Sequence, residues 1–257
     1  MGSLILRLAV LIGIVFSGYL IAAPEDKSPL SILPVSVAGM PAYRLQIPNG
    51  AKALLYLPKA YQEANPHTLA IGLHGRSELA ETFLKIWIPI ADRFDMMLLC
   101  PEGSDLVEGY RRVPYDDRKD IIEFTRLVMK LYRIDQTQNK VFGFSKGGSI
   151  ATELGILEPE LFPNVVCMFG FFNKNMPYCN RYSHSKMYFI TGKNDVTYAS
   201  LMQGVDFLKN YGIQTKIKLF SSLVHTYPPR LESEVEDIIW WFSQHPSSFK
   251  EDPYAIH

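Results

Sequence analysis

The sequence is poor in cysteine and lacks the patterns that hold metals. Only Cys100, Cys167 and Cys179 stand among 257 residues. They form no Cys-x-x-Cys pair, and no His-Glu-x-x-His helix or EF-hand loop accompanies them, so no metal site is expected. An odd count gives no disulfide framework, although one bridge between Cys167 and Cys179 stays open in an oxidising compartment. Cys100 and Cys167 fall in or at the end of apolar runs, where buried thiols sit. Charge of one sign is also missing. Lys and Arg total 26, and Asp and Glu total 26. No basic cluster interleaved with aromatics occurs, which removes nucleic acid from the expected partners. The densest charge run, YRRVPYDDRKD at 110–120, alternates in sign and reads as a solvated loop and helix start. No internal repeat, low-complexity tract or second domain-sized block is present.

What is there begins with an unusual N-terminus. Arg7 is followed by uncharged, mostly apolar residues from 8 to 23, then by Pro24, Glu25 and Asp26. This is the pattern of a signal peptide, and the run falls short of the ~20 residues a spanning helix needs. A secreted or periplasmic protein is expected. The alternative is an uncleaved anchor at residues 8–23, which would give the protein its only membrane contact. No lipid-attachment cysteine follows, and Leu6 breaks the myristoylation pattern.

Residues 24–41, with three prolines in the stretch 27–41, read as a linker or N-terminal arm. From 42 to 257 a single domain is expected. AYRLQI and AKALLYL flank Pro48-Asn49-Gly50, a hairpin signal. Short apolar runs then alternate with helical patterns: TLAIGL, MMLLCP, KVFGF, NVVCMFGFF, KMYFIT and TKIKLF are strands by this reading. Helical periodicity fills 79–94, where Pro89 should kink or split the helix, and also 117–134, 198–211 and 231–242. Asp116 or Asp117 can cap the second of these. Alternation of this kind implies an α/β protein with a mostly parallel central sheet and helices on both faces.

In such sheets the working groups gather beyond the carboxyl ends of the strands. His74-Gly75-Arg76-Ser77 follows TLAIGL, and Ser145 follows KVFGF between Gly143 and Gly147. Asp195 follows KMYFIT, and His225 lies beyond TKIKLF. A bare Gly-x-Ser-x-Gly arises by chance in roughly one chain in ten of this length. Its position between a strand and a helix, with an Asp and then a His at later strand ends, makes it far more specific. A serine hydroxyl becomes a nucleophile when a histidine takes its proton and a carboxylate orients that histidine. Ser145, His225 and Asp195 are the candidates for these roles. The helix starting near Lys146 brings its N-terminal N–H groups beside a forming oxyanion.

These residues carry a resemblance. The chain resembles α/β-hydrolases, within them secreted esterases of the feruloyl esterase and polyhydroxybutyrate depolymerase-like group. The likeness spans about residues 43–242 and rests on LYLPKAY, IGLHG, ADRFDMMLLCPEG, the block from 116 to 162, ITGKNDVTY and HTYP. It implies an exported serine hydrolase of carboxylic esters, small or polymer-derived, that uses an acyl-enzyme and no cofactor. Ser145 would be nucleophile, His225 base and Asp195 acid, with the oxyanion held by the backbone N–H groups of Lys146 and Arg76. The chain departs from the group in having no further glycines after His74-Gly75, in Val224 before the histidine, in Tyr227 for a Trp, and in Lys146 beside the nucleophile. That lysine can attract an anionic substrate; a solvent-facing lysine at the helix start is the plainer reading.

Tyr227, Tyr198 and Phe171 are candidates to line the substrate cleft, and Tyr110 and Phe172 border strand ends in the same way. His184 is a rival base in a loop, and His74 is expected to pack under the oxyanion loop. The stretch from 170 to 185 leaves little room for a large lid, so an open site is expected. A peptidase or thioesterase with the same triad is the alternative among enzymes. Outside enzymes the alternative is a secreted binding protein that kept the fold.

Overall fold

The computed structural model describes residues 30–172 and 184–245. Among these residues nine strands form one sheet, in the order β1-β2-β3-β5-β4-β6-β7-β8-β9. β1 (Ser31–Val37), β2 (Met40–Gln46) and β3 (Lys52–Tyr56) pair antiparallel, as do β3 and β5 (Met96–Pro101). β4 (Thr68–Leu73), β5, β6 (Lys140–Phe144), β7 (Asn164–Met168), β8 (Lys186–Gly192) and β9 (Thr215–Phe220) run parallel.

The reading of residues 24–41 as a linker needs correction, because 31–37 form the edge strand β1. The turn into β2 is made by Ala38 and Gly39, both at positive φ. Pro34 lacks an N–H and is tolerated because it sits on an edge. The hairpin expected around Asn49-Gly50 joins β2 to β3, with Gln46 opposite Lys52. Residues 1–23 and Cys179 lie outside the described residues, as does most of the stretch expected to leave no room for a lid. Cys100 and Cys167 are buried free thiols.

Among the described residues five α-helices cover the sheet: α1 (Ala80–Arg93), α2 (Asp117–Leu131), α3 (Lys146–Leu157), α4 (Tyr198–Asn210) and α5 (Leu231–Gln244). α1 runs unbroken through Pro89 rather than splitting there. Its face of Phe83, Leu84 and Trp87 is buried with Val235, Ile238 and Trp241 of α5. On the other face Ile121 and Phe124 of α2, Ile150 and Leu154 of α3, and Leu201 and Val205 of α4 form a second core. Strands buried on both sides need no polar positions, which is why β4 to β8 read as unbroken apolar runs. Asp116 caps α2 by accepting from the Arg118 N–H.

The run at 110–120 is the loop and helix start expected, exposed at 113–115, but parts of it are buried. Tyr110 is fully buried, and Asp117 and Asp120 are nearly so. The Tyr110 hydroxyl donates to the Pro101 carbonyl and accepts from the His74 N–H. Asp117 accepts from the Ser104 and Arg111 backbone N–H groups. An alternating charge pattern conceals such burial because Asp117 finds donors on Ser104 and Asp120 finds one on Asn49, both outside the run.

Candidate active site

Strand order reverses between β4 and β6, since the chain goes from β4 outward to β5 and returns across the sheet to β6. The loops after β4 and β6 therefore flank the point where an open α/β sheet parts to admit a ligand. The first loop holds residues 74–77 and the second begins with Ser145.

Ser145 joins β6 to α3 at φ 53° and ψ −117°. That is a strained conformation for a residue with a side chain, and such strain persists only where the surroundings enforce it. The glycines explain how the turn closes. A Cβ on Gly143 would overlap the backbone of Gly147, and one on Gly147 would overlap the carbonyls of Leu73 and His74. α3 can press this closely onto β4 and β6 only because both positions lack side chains.

β8 and β9 deliver the other two residues. His225 Nδ1 lies 2.7 Å from Asp195 Oδ2, and its Nε2 lies 2.7 Å from Ser145 Oγ. Asp195 is buried, and its ring-facing oxygen is acceptor only. Nδ1 is thus the protonated nitrogen and donates, which leaves Nε2 to accept the serine proton. The second oxygen of Asp195 accepts from the Thr197 N–H at 2.7 Å and from the Thr197 hydroxyl. Sequence reading passed over Thr197, although an Asp-x-Thr at a strand end is a turn in which the side chain binds the backbone two residues on. Phe144 packs its ring 5.3 Å from that of His225 and fixes the imidazole from one side.

The loop after β4 sits against the serine. An added Cβ on Gly75 would stand 3.5 Å from Ser145 Cβ. His74 is buried beneath, as expected. Its Nδ1 donates to the Gly75 carbonyl at 2.8 Å, and its Nε2 accepts from the Gly103 N–H at 3.2 Å. Burial lowers its pKa below the ordinary histidine value, against the pull of the Gly75 carbonyl. The neutral ring therefore serves as a strut. Glu78 was not singled out in the sequence, yet its Oε2 accepts the Gly75 N–H at 2.7 Å. The backbone N–H groups of Arg76 and Lys146 find no acceptor among the described residues. Both remain free to donate to a ligand.

The aromatic candidates part company. Tyr227 stacks on Phe144 at 4.2 Å, meets Phe83 edge-on, and turns its hydroxyl toward Glu78 at 3.4 Å. Burial, and then the Glu78 charge, drive its pKa up. Tyr227 is half-buried against these rings. Phe171 is half-buried and lies under the Lys146 ammonium, whose Nζ is 5.7 Å from the ring centre. Tyr198 is half-buried at the first position of α4. Tyr110 belongs to the core. His184 precedes β8 and so lies at the other end of the sheet from Ser145. Lys146 is half-buried at the first position of α3.

The fold matches that of a set of solved structures. An acetyl xylan esterase from Paenibacillus sp. R4 superposes with a TM-score of 0.65 at 13% identity, over 82% of this chain and 88% of that one. The fold is that of the α/β-hydrolases. The S-formylglutathione hydrolase of Staphylococcus aureus superposes with a TM-score of 0.59 at 15% identity, over 82% of this chain and 98% of that one. The acylaminoacyl peptidase of Pyrococcus horikoshii gives 0.61 at 13%, over 86% of this chain and 43% of that one. No protein-family model and no curated protein matches the chain. At these identities the α/β-hydrolase likeness speaks for the fold, and the chemistry has to be argued from the site.

Proposed function

We propose that the protein is an exported serine hydrolase that cleaves carboxylic esters. The observation that carries the reading is the unbroken chain of hydrogen bonds from Ser145 through His225 to Asp195. His225 Nε2 removes the Ser145 proton as Oγ attacks the acyl carbon. Asp195 holds Nδ1–H and stabilises the imidazolium. The backbone N–H groups of Lys146 and Arg76 receive the oxyanion. The imidazolium returns its proton to the leaving alcohol, and water then releases the acyl group from Ser145 by the same route. No cofactor takes part. Ser145 stays partly exposed at its turn, which disfavours a binding protein with a blocked serine.

The solved neighbours named above act, by their names, on an acetyl ester, on S-formylglutathione and on an acylaminoacyl peptide. Fold and triad leave all three bond types within reach, so the leaving group has to be tested. The test compares 4-nitrophenyl butyrate, butyryl thiocholine and an acetyl-amino-acid anilide on the wild type and on Ser145→Ala. Ester turnover that exceeds the others in kcat/KM and vanishes in the variant is expected. Turnover that survives in Ser145→Ala would defeat the proposal, and a preference for the anilide would make the protein a peptidase. Export rests on residues 1–23 alone. Mass spectrometry of protein recovered outside the cytoplasm should find a mature chain starting near residue 24, whereas an intact N-terminus would mark a membrane anchor.

A further inference from the structure

Lys146 follows Ser145 directly, and the mechanism uses only its backbone. Its ammonium is half-buried, yet among the described residues no carboxylate lies within ion-pair distance of it. The acids nearest in electrostatic reach are Glu108 and Glu153. Both are already occupied. Glu108 accepts from Arg76 at 2.7 Å. Glu153, fully buried, is shared between Arg112 and Arg118. Arg112 and Arg76 instead push on Lys146, and burial, the larger cause, joins them in lowering its pKa. Residues 173–183 contain no Asp or Glu, so that stretch brings no counter-charge either. A half-desolvated cation without a partner is costly, and proteins seldom keep one without a use.

The surroundings say what would use it. The ring of Phe171 gives the ammonium an apolar floor on which a short carbon chain can lie. Across the site Glu78 is tied to the Gly75 N–H and faces Tyr227, so that side repels anions. A single ammonium is matched to a monoanion, since phosphate groups favour several donors or a guanidinium fork. Resting on the hydrolytic reading above, we infer that Lys146 recognises a carboxylate carried by the substrate, making the protein selective for esters with a free acid group close to the scissile bond. The carboxylate can belong to the acyl part or to the alcohol part.

The experiment uses the full chain and two matched pairs. Mono-4-nitrophenyl adipate against 4-nitrophenyl hexanoate probes the acyl side. 4-Acetoxybenzoate against its methyl ester probes the leaving-group side. The quantity read is the ratio of kcat/KM for the anionic over the neutral member, in the wild type, Lys146→Met, Lys146→Arg and Lys146→Glu. In one pair the wild-type ratio should fall by roughly tenfold or more in Lys146→Met, chiefly through KM, as expected for loss of one charged hydrogen bond. Lys146→Arg should keep most of the ratio, and Lys146→Glu should favour the neutral ester. Added salt should lower the wild-type ratio and leave that of Lys146→Met unmoved. Labelling by a neutral fluorophosphonate checks that each variant keeps its reactive serine. The inference is overturned if the ratio in both pairs is the same in wild type and Lys146→Met while the esters are still cleaved. Failure of the wild type on all four esters would instead remove the hydrolytic reading, and this inference with it.

Discussion

Gly147→Ala isolates the feature on which the serine turn depends. The new Cβ would overlap the backbone carbonyls of Leu73 and His74, and neither is the end of a flexible side chain that can swing away. α3 and the end of β4 must therefore separate by about 1 Å, and a misplacement of that size costs roughly a hundredfold in rate. Overpacking of this kind costs about 1–3 kcal/mol. Alanine in a helix returns about 1 kcal/mol relative to glycine. Because the clash is with backbone, the balance falls on the side of a net loss of up to about 2 kcal/mol. Gly148→Ala is the internal comparison. Its nearest contacts, Cys167 Sγ and the Gly143 carbonyl at 3.1 Å, are tight but not overlapping. Helix propensity should nearly balance the crowding there. Urea unfolding gives the stability of each variant, and the rate of fluorophosphonate labelling gives the geometry of Ser145. The reasoning is refuted if Gly147→Ala unfolds like the wild type and labels at the wild-type rate, or if Gly148→Ala is the more damaged of the two.

Asp195→Asn should keep the fold but present His225 in the wrong tautomer, with kcat down by roughly a thousandfold or more; ester turnover within tenfold of wild type would rule out the orienting role. Lys140 is depressed to about 8 by burial and then by Lys186. The folded state thus loses this proton before the unfolded chain does, and stability should rise from about pH 8 towards the ordinary lysine pKa near 10.4. Lys140→Met should flatten that rise and add roughly 1–2 kcal/mol at pH 7, where the buried ammonium is a cost; a lower urea midpoint for the variant at pH 7 would contradict this. Glu153→Ala strands Arg112 and leaves Arg118 with Asp116 alone, and should cost about 3 kcal/mol in thermal or urea unfolding, far more than removing the exposed pair of Arg76 and Glu108.

The parallel strands and the three residues that the fold joins by hydrogen bonds, Ser145, His225 and Asp195, were legible because each obeys a local rule. A strand buried on both faces is a short apolar run, and a residue at its carboxyl end lies on the ligand-binding rim. β1 was missed because an edge strand tolerates Pro34 and alternates exposure, so its composition resembles a linker. The unbroken course of α1 through Pro89 depends on packing of Phe83, Leu84 and Trp87 against the sheet. Glu78 and Thr197 were invisible for another reason. Each matters through a partner that the fold supplies, the Gly75 N–H in one case and the Asp195 carboxylate in the other. The same holds for Lys146. Sequence places it beside Ser145, while its lack of a counter-ion among the described residues follows from arginines that reach Glu108 and Glu153 first.

The central claim is that Ser145 is a nucleophile activated by His225. The most direct test treats the protein with a fluorophosphonate and locates the adduct by peptide mass spectrometry. The account predicts one phosphonyl group per chain, on the peptide containing Ser145, absent from Ser145→Ala and formed far more slowly in His225→Ala. No adduct on the folded wild type, or an adduct at another residue that persists in Ser145→Ala, would contradict it.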